Sequence, residues 1–250
     1  VSGAAPGAVA PVAAAPVAVA LIGMGRMGRA LDALAPDRGV RVVARLGAAE
    51  LAGGLTLALL NGAQVAIEFT QPGAAVANAR ACLALGCPVV VGTTGWEGER
   101  GALEAAVAAH GCPALWSPNF SVGVQLFLAL AEAAGRALRG MEGFAPALVE
   151  THHAAKRDAP SGTALAIRER VEPALGQAVP VTSVRVGSVP GTHTLLFDAP
   201  FEQLRLEHEA RDRRVFADGA LAAARWLAAG RAPRLYAMRD VLPTLMPEVA

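Results

Sequence analysis

The sequence predicts an α/β protein in which a doubly wound parallel sheet is joined to a second, α+β domain with a mixed or antiparallel sheet. Three observations predict it. Between Val17 and Trp116, apolar runs of strand length alternate with helix-like stretches, the pattern that builds a parallel sheet with helices on both faces. The turns after these runs are polar or rich in glycine, as ligand-binding turns at the carboxyl ends of parallel strands are. After Asn119 one long apolar helix leads into strand-like segments separated by Gly and Pro, which reads as a separate sheet. The composition agrees: of 250 residues, 54% are hydrophobic and 17% charged, which excludes an intrinsically disordered chain. A formal net charge of +1 excludes a nucleic-acid or anionic-membrane binder that works through bulk electrostatics, so neither partner is expected.

The elements follow in order. Val17 to Ile22 is a β-branched apolar strand closed by Gly23, and Gly23-Met-Gly25-Arg-Met-Gly28 turns into a helix that runs to Leu34. Pro36-Asp-Arg-Gly39 then leads to a second strand, Val40 to Leu46, which completes a βαβ spacing. A third strand, Gln64 to Phe69, ends at Thr70-Gln-Pro72 before an Ala-rich helix to about Leu85. Cys87 to Val91 enters Gly92-Thr-Thr-Gly95, a helix covers Glu97 to Ala109, and Pro113 to Trp116 is a fifth strand ending in Ser117-Pro-Asn-Phe120. The second part comprises a helix over Val122 to Leu138, a strand over Phe144 to Glu150, and a helix from Ala164 to about Arg170. Strands over Val181 to Val186, His193 to Asp198 and Gln203 to Glu209 complete it. A last helix, Arg214 to Ala229, and the tail Leu235 to Leu242 return to the first domain. Residues 1–15 read as a disordered Ala/Pro leader; Pro6, Pro11 and Pro16 interrupt the uncharged start, and no basic residues precede it as a secretory signal requires.

Glycines are common in turns, but Gly23 to Gly28 follows a strand and precedes a helix. In that context glycines let the backbone approach a pyrophosphate, whose charge the helix N-terminus stabilises. The arrangement is Rossmann-like. With Phe69, Thr70, Gly92, Thr93, Thr94, Ser117, Pro118, Asn119 and Phe120 on the same rim, it outlines a dinucleotide cleft. The acidic residue that usually takes the ribose hydroxyls after the second strand is missing; Arg45 stands there instead, with no acid until Glu50, which points towards the 2′-phosphate of NADPH.

The densest chemistry lies between Thr151 and Thr163. This run holds two of the five histidines, His152 and His153, and Lys156, the sole Lys beside 21 Arg. Ser161-Gly162-Thr163 opens a helix and offers free backbone amides and hydroxyls to an anion. Lys156 adds a mobile positive donor and the histidines titrate near neutral pH. Together they suit a small anionic substrate that needs a proton. No metal is expected, because adjacent histidines point to different sides of a strand and no third ligand has suitable spacing. Cys82, Cys87 and Cys112 read as buried thiols in a reducing compartment.

These residues resemble the 4-hydroxy-tetrahydrodipicolinate reductase (dihydrodipicolinate reductase) family. The resemblance rests on Gly25-Arg-Met-Gly28, Phe69-Thr-Gln-Pro72, Gly92-Thr-Thr-Gly-Trp96, Asn119-Phe-Ser-Val-Gly123, the run His152-His-Ala-Ala-Lys-Arg-Asp-Ala-Pro-Ser-Gly-Thr163 and Met238-Arg-Asp240. It implies NAD(P)H-dependent reduction of 4-hydroxy-tetrahydrodipicolinate in diaminopimelate and lysine biosynthesis, by loss of the ring hydroxyl and hydride transfer to C4. Gly23, Met24, Gly25, Arg26, Met27 and Gly28, with Arg45 and the rim turns above, would bind NADPH or NADH. By the same resemblance His152 is the acid/base residue and Lys156 the proton donor or carboxylate anchor, with His153, Ser161, Gly162, Thr163 and Thr94 binding the dicarboxylate. The family also implies a cytoplasmic homotetramer. It would assemble through residues 122–212, the substrate-binding and oligomerisation domain, while 16–121 and 213–250 form the dinucleotide-binding domain.

Three departures mark this chain. Its glycine turn is one residue shorter than the family's common Gly-x-x-Gly-Arg-Met-Gly form, the acid after the second strand is missing, and a segment between Gln177 and Thr182 is abbreviated. Two other readings compete: another two-domain amino-acid dehydrogenase, of aspartate or homoserine type, and a non-catalytic dinucleotide-binding sensor.

Overall fold

A computed structural model describes residues 15–245; all but the last residue of the expected leader lies outside them. The first sheet contains β1 (Val17–Ile22), β2 (Val40–Leu46), β3 (Val65–Glu68), β4 (Val89–Val91), β5 (Ala114–Trp116) and β10 (Leu235–Tyr236), in the order β10-β5-β4-β3-β1-β2. Every pairing in it is parallel. β1 lies between β2 and β3, so the chain reverses direction across the sheet there, and a crevice opens beyond the carboxyl ends of β1 and β3.

Helices cover both faces because the strands are apolar on both. One face packs against α1 (Arg26–Leu34), α7 (Arg214–Ala228) and α8 (Met238–Leu245), around Leu21, Leu31, Leu221 and Leu227. The other packs against α3 (Pro72–Ala84) and α4 (Arg100–His110), around Ile22, Leu83, Val91 and Leu103. Cys82, Cys87 and Cys112 are buried and unbridged. Burial pushes all three thiols up, Cys87 to about 12, so they are poor nucleophiles.

The second sheet has the order β7-β6-β8-β9, built from β6 (Ala145–His152), β7 (Val181–Arg185), β8 (Thr192–Ala199) and β9 (Glu202–Glu209). It is mixed: β7 runs parallel to β6, and β8 runs antiparallel to both β6 and β9. Its inner face packs on α5 (Val122–Leu138) and α6 (Gly162–Leu175) through fully buried Leu148, Leu195, Phe197 and Ile167. Truncating any of these to Ala would cost about 2–5 kcal/mol. Ser121 caps α5 by accepting from the Val124 amide at 3.2 Å. Gly135 lets the two helices close, since a Cβ there would sit 3.3 Å from that of Ala174.

The structure differs from the expected elements in three places. A short helix, α2 (Leu57–Leu60), fills the connection between β2 and β3. β6 continues two residues past Glu150, carried by its pairing with β7 through His152↔Arg185. α6 continues past Pro173 to Leu175, because Val171, Ala174 and Leu175 are all buried and that burial outweighs the hydrogen bond the proline removes.

Candidate active site

The rim of the first sheet is shaped by close backbone contacts. A Cβ on Gly23 would run into the Phe69 carbonyl at the end of β3, and one on Gly28 into the Gly23 carbonyl, so neither position accepts a side chain. Gly25 has open space where its Cβ would stand. It precedes α1, whose first turn has neither a side-chain cap nor an acidic residue. The amides of that turn have no partner within the helix and suit a pyrophosphate. At the end of β3, Glu68 is buried and binds the Thr70 amide at 3.0 Å and the Thr70 hydroxyl; the same amide reaches Thr93 Oγ1 at 2.8 Å. The Thr70 amide thereby ties the turn after β3 to the turn after β4.

The second sheet ends opposite this rim. His152 closes β6, and the following loop brings Lys156 round so that Nζ holds both oxygens of Asp158, at 2.8 and 2.9 Å. Ser161 caps α6, accepting from the Ala164 amide at 3.2 Å. The amides of Gly162 and Thr163, at the start of that helix, have no partner within the helix. Asn119 on the rim donates to Thr163 Oγ1 at 3.2 Å and so links the two halves.

One cleft of about 600 Å³ lies between them. Met27, Thr94, Pro118 and Asn119 border it from the rim; His152, His153, Lys156, Ser161, Gly162 and Thr163 border it from the second sheet. Gly23, Met24, Gly25, Arg26, Gly28, Phe69, Thr70, Gly92, Thr93 and Ser117 stand at the carboxyl ends of β1, β3, β4 and β5 without lining that cleft.

Four expectations need correction. The Phe120 side chain is buried, packs edge-on against Phe69 at 6.0 Å and belongs to the core, so it presents no surface to a ligand. The Ser161 hydroxyl is already occupied by the helix cap and by His193 Nε2 at 3.2 Å; what the residue gives the cleft is a helix start. Arg45 is not a free cation: it forks onto Asp32 of α1 with bonds of 2.8 and 2.6 Å, so a 2′-phosphate must compete with a carboxylate for it. The third ligand missing from sequence spacing also exists. Glu150, His152 and His193 are all buried, with ligating atoms within 4.8 Å of one another. Arg185 lies 2.7 Å from the same carboxylate and already supplies the charge a cation would bring.

Burial alone would raise the Glu150 carboxyl, but hydrogen bonds from Ser161, Ser183 and Arg185 outweigh it and hold it down at about 2. Burial is also the main influence on the neighbouring imidazoles. It lowers His152, against the opposing pull of Glu150, and with His152 close by it lowers His193 to about 4. At neutral pH the cluster therefore holds one carboxylate, one guanidinium and two uncharged imidazoles. Sequence reasoning missed Glu68, Glu150, Arg185 and His193, and also Arg213, an exposed cation at the mouth of the cleft.

A parallel α/β sheet with a glycine turn at its switch point, facing a second sheet that brings histidines and a lysine to a shared cleft, defines an oxidoreductase of the dinucleotide-binding class. The matching families are described as dihydrodipicolinate reductase, N-terminus, over residues 17–120, and dihydrodipicolinate reductase, C-terminus, over residues 123–242. The chain belongs to the dihydrodipicolinate reductase family. It is 41% identical over 257 residues to the 4-hydroxy-tetrahydrodipicolinate reductase of Thiobacillus denitrificans, covering 87% of this chain and 95% of that one. It is 38% identical over 259 residues to the enzyme of the same name from Alkalilimnicola ehrlichii, with the same coverage, 87% and 95%. Among solved structures, a dipicolinate-bound dihydrodipicolinate reductase from Paenisporosarcina sp. TG-14 shares the fold with a TM-score of 0.77 at 21% identity, over 91% of this chain and 100% of that one.

Proposed function

We propose that this protein reduces 4-hydroxy-tetrahydrodipicolinate to tetrahydrodipicolinate with NADPH or NADH, in the diaminopimelate route to lysine. The observation that carries the reading is the cleft in which Thr94 and Asn119 of the rim face His152, His153, Lys156 and the start of α6. The reduced nicotinamide supplies the hydride when bound over the rim.

This chain's residues supply the rest. The amides of Gly162 and Thr163 hold one carboxylate of the substrate at a helix N-terminus. Lys156 takes the other, moving from Asp158 to do so, or donates a proton as the hydroxyl leaves. His152 exchanges the proton that completes reduction, within reach of the same ring. Fixing both carboxylates aims C4 at the rim, which is an orientation effect. The dinucleotide-binding part is residues 16–121 and 213–250, of which 246–250 lie outside the described residues, and the substrate-binding part is 122–212.

No helix among the described residues is long and apolar enough to cross a membrane. From the biosynthetic role of its relatives we place the enzyme in the cytoplasm. We place tetramer contacts on the outer face of the second sheet, where Val149, Thr194 and Leu196 are only partly buried. Sedimentation equilibrium tests that assembly.

The activity is tested by feeding the condensation product of pyruvate and aspartate semialdehyde to purified protein while following NADPH and NADH absorbance. Substrate-dependent oxidation is expected. Coenzyme binding without turnover would favour the sensor reading, and turnover with aspartate or homoserine instead would favour the other dehydrogenases.

A further inference from the structure

Sheet register explains why several polar side chains meet beside His152. Residues two apart on a strand share a face, so Leu148, Glu150 and His152 all lie on the buried face of β6. Parallel pairing sets Ser183 beside Glu150 and Arg185 beside His152, and antiparallel pairing sets His193 opposite Glu150.

The two oxygens of Glu150 are used differently. Oε1 accepts from the Ser161 amide at 3.0 Å, Ser183 Oγ at 2.7 Å and Arg185 Nη2 at 2.7 Å. The Arg185 guanidinium also holds the Asp158 carbonyl at 2.6 Å, which pins the loop carrying Lys156. Oε2 is fully enclosed and has no hydrogen-bond partner, and the same is true of His152 Nδ1. These two atoms lie 3.2 Å apart, off the line of a straight hydrogen bond, and His193 Nε2 stands 3.8 Å from Oε2.

An ionised carboxylate only accepts. Buried polar atoms are rarely left unpaired, and a small rotation of the ring satisfies both of these if Nδ1 carries the proton. Nε2 then has a free lone pair. It lies against Gly191, where a Cβ would come within 2.9 Å, on a residue that borders the cleft.

We infer that Glu150 is a positioning residue: Oε2 fixes His152 as the Nδ1–H tautomer, leaving Nε2 to exchange the proton with substrate, while Oε1 anchors the Ser161 amide at the start of α6. One buried carboxylate thus holds the proton-transfer group and the anion-binding helix in a common register. The tautomer stands on geometry alone; its catalytic consequence rests on the proposed reductase activity.

The test uses full-length protein labelled with ¹⁵N-histidine and two-bond ¹H–¹⁵N correlation at pH 7.5, with the His152 signals assigned by their loss in His152→Gln. The wild type is expected to show His152 as the Nδ1–H form; an Nε2–H form would overturn the inference without any variant. In Glu150→Gln the three donors on Oε1 keep the amide oxygen in place and turn the NH₂ towards Nδ1, so the tautomer is expected to switch. With it kcat falls about 10- to 100-fold, the order seen when partners orienting histidines at metal sites are lost, while NADPH affinity and substrate KM stay within a few-fold. Glu150→Asp, which keeps the carboxylate, should return the Nδ1–H signal. An unchanged tautomer and unchanged kcat in Glu150→Gln would overturn the inference. If the wild type shows the Nδ1–H form but no reductase turnover, the proposed activity fails and the assignment of Glu150 as the group orienting His152 stands.

Discussion

Gly191→Ala is a sharp perturbation of the site, because the added methyl enters against the His152 ring, the nearest group to it. Its Cβ would lie 2.9 Å from His152 Nε2 and 3.2 Å from Cδ2. Ordinary carbon contacts begin near about 3.5 Å, so the ring must retreat by roughly half an ångström. Retreat alters its 3.2 Å approach to Glu150. A misplacement of about 1 Å at a reacting group costs on the order of 10²-fold in rate, so half of that predicts a kcat loss of roughly 10-fold. Gly191 also has φ +156°, a conformation that alanine adopts with strain of about 1–3 kcal/mol. At about 2–4 °C per kcal/mol for a chain of this size, Tm should fall by several degrees. Steady-state kinetics with saturating NADPH, a thermal scan and a coenzyme titration make the three measurements. Expected are lower kcat, lower Tm and unchanged coenzyme affinity; wild-type kcat in a folded variant would refute the placement of His152 against Gly191.

Lys156→Ala should lose most activity and keep coenzyme affinity, because Lys156 faces the second-sheet side of the cleft; near-wild-type turnover in the coupled assay would remove its role. Arg45→Ala should raise KM for NADPH more than for NADH, and the effect should be modest because Asp32 already holds the guanidinium; equal changes for both coenzymes would remove the 2′-phosphate contact. Stability should decline on acidification in two stages. His193 is lowered from 6.5 to about 4, so the unfolded chain binds its proton first, and stability is full above the ordinary histidine value and lost as pH falls towards 4. Glu150 is lowered from 4.5 to about 2, so its contribution is present above the ordinary carboxylate value and lost as pH falls from there towards 2. Denaturant titrations across pH 7 to 3 should show both stages, with His193→Asn shrinking the first, to which His152 and His208, both lowered by burial, also contribute, and leaving the second; a flat profile above pH 4.5 in the wild type would contradict the buried neutral imidazole.

Local signals made much of the fold readable. Val17–Ile22, Val40–Leu46 and Val122–Leu138 form as their apolar patterns and flanking residues indicate, because Gly23, Gly39 and Ser121 mark boundaries whose physics is local. The cleft's main polar groups were legible for a similar reason: His152 to Thr163 is one continuous loop and helix start. The cluster that supports His152 was not legible. Glu150, Arg185 and His193 come from three strands and meet through sheet register, which no spacing along the chain encodes. The pairing of Arg45 was hidden for the converse reason, since a sequence shows the cation but not that Asp32, one helix away, already holds it. The helix over Ala164 to about Arg170 continues to Leu175 because Val171, Ala174 and Leu175 are buried, and that packing comes from the tertiary fold rather than from local sequence.

The central claim is that this cleft delivers hydride from a dinucleotide on the rim to a dicarboxylate held by the second sheet. The most direct measurement is to run the coupled reaction with NADPH deuterated at the transferring position of the nicotinamide and locate the label in the product by NMR. The account predicts stoichiometric deuterium at C4 of tetrahydrodipicolinate. Coenzyme oxidation with no label in the product, or no oxidation by folded protein, would contradict it.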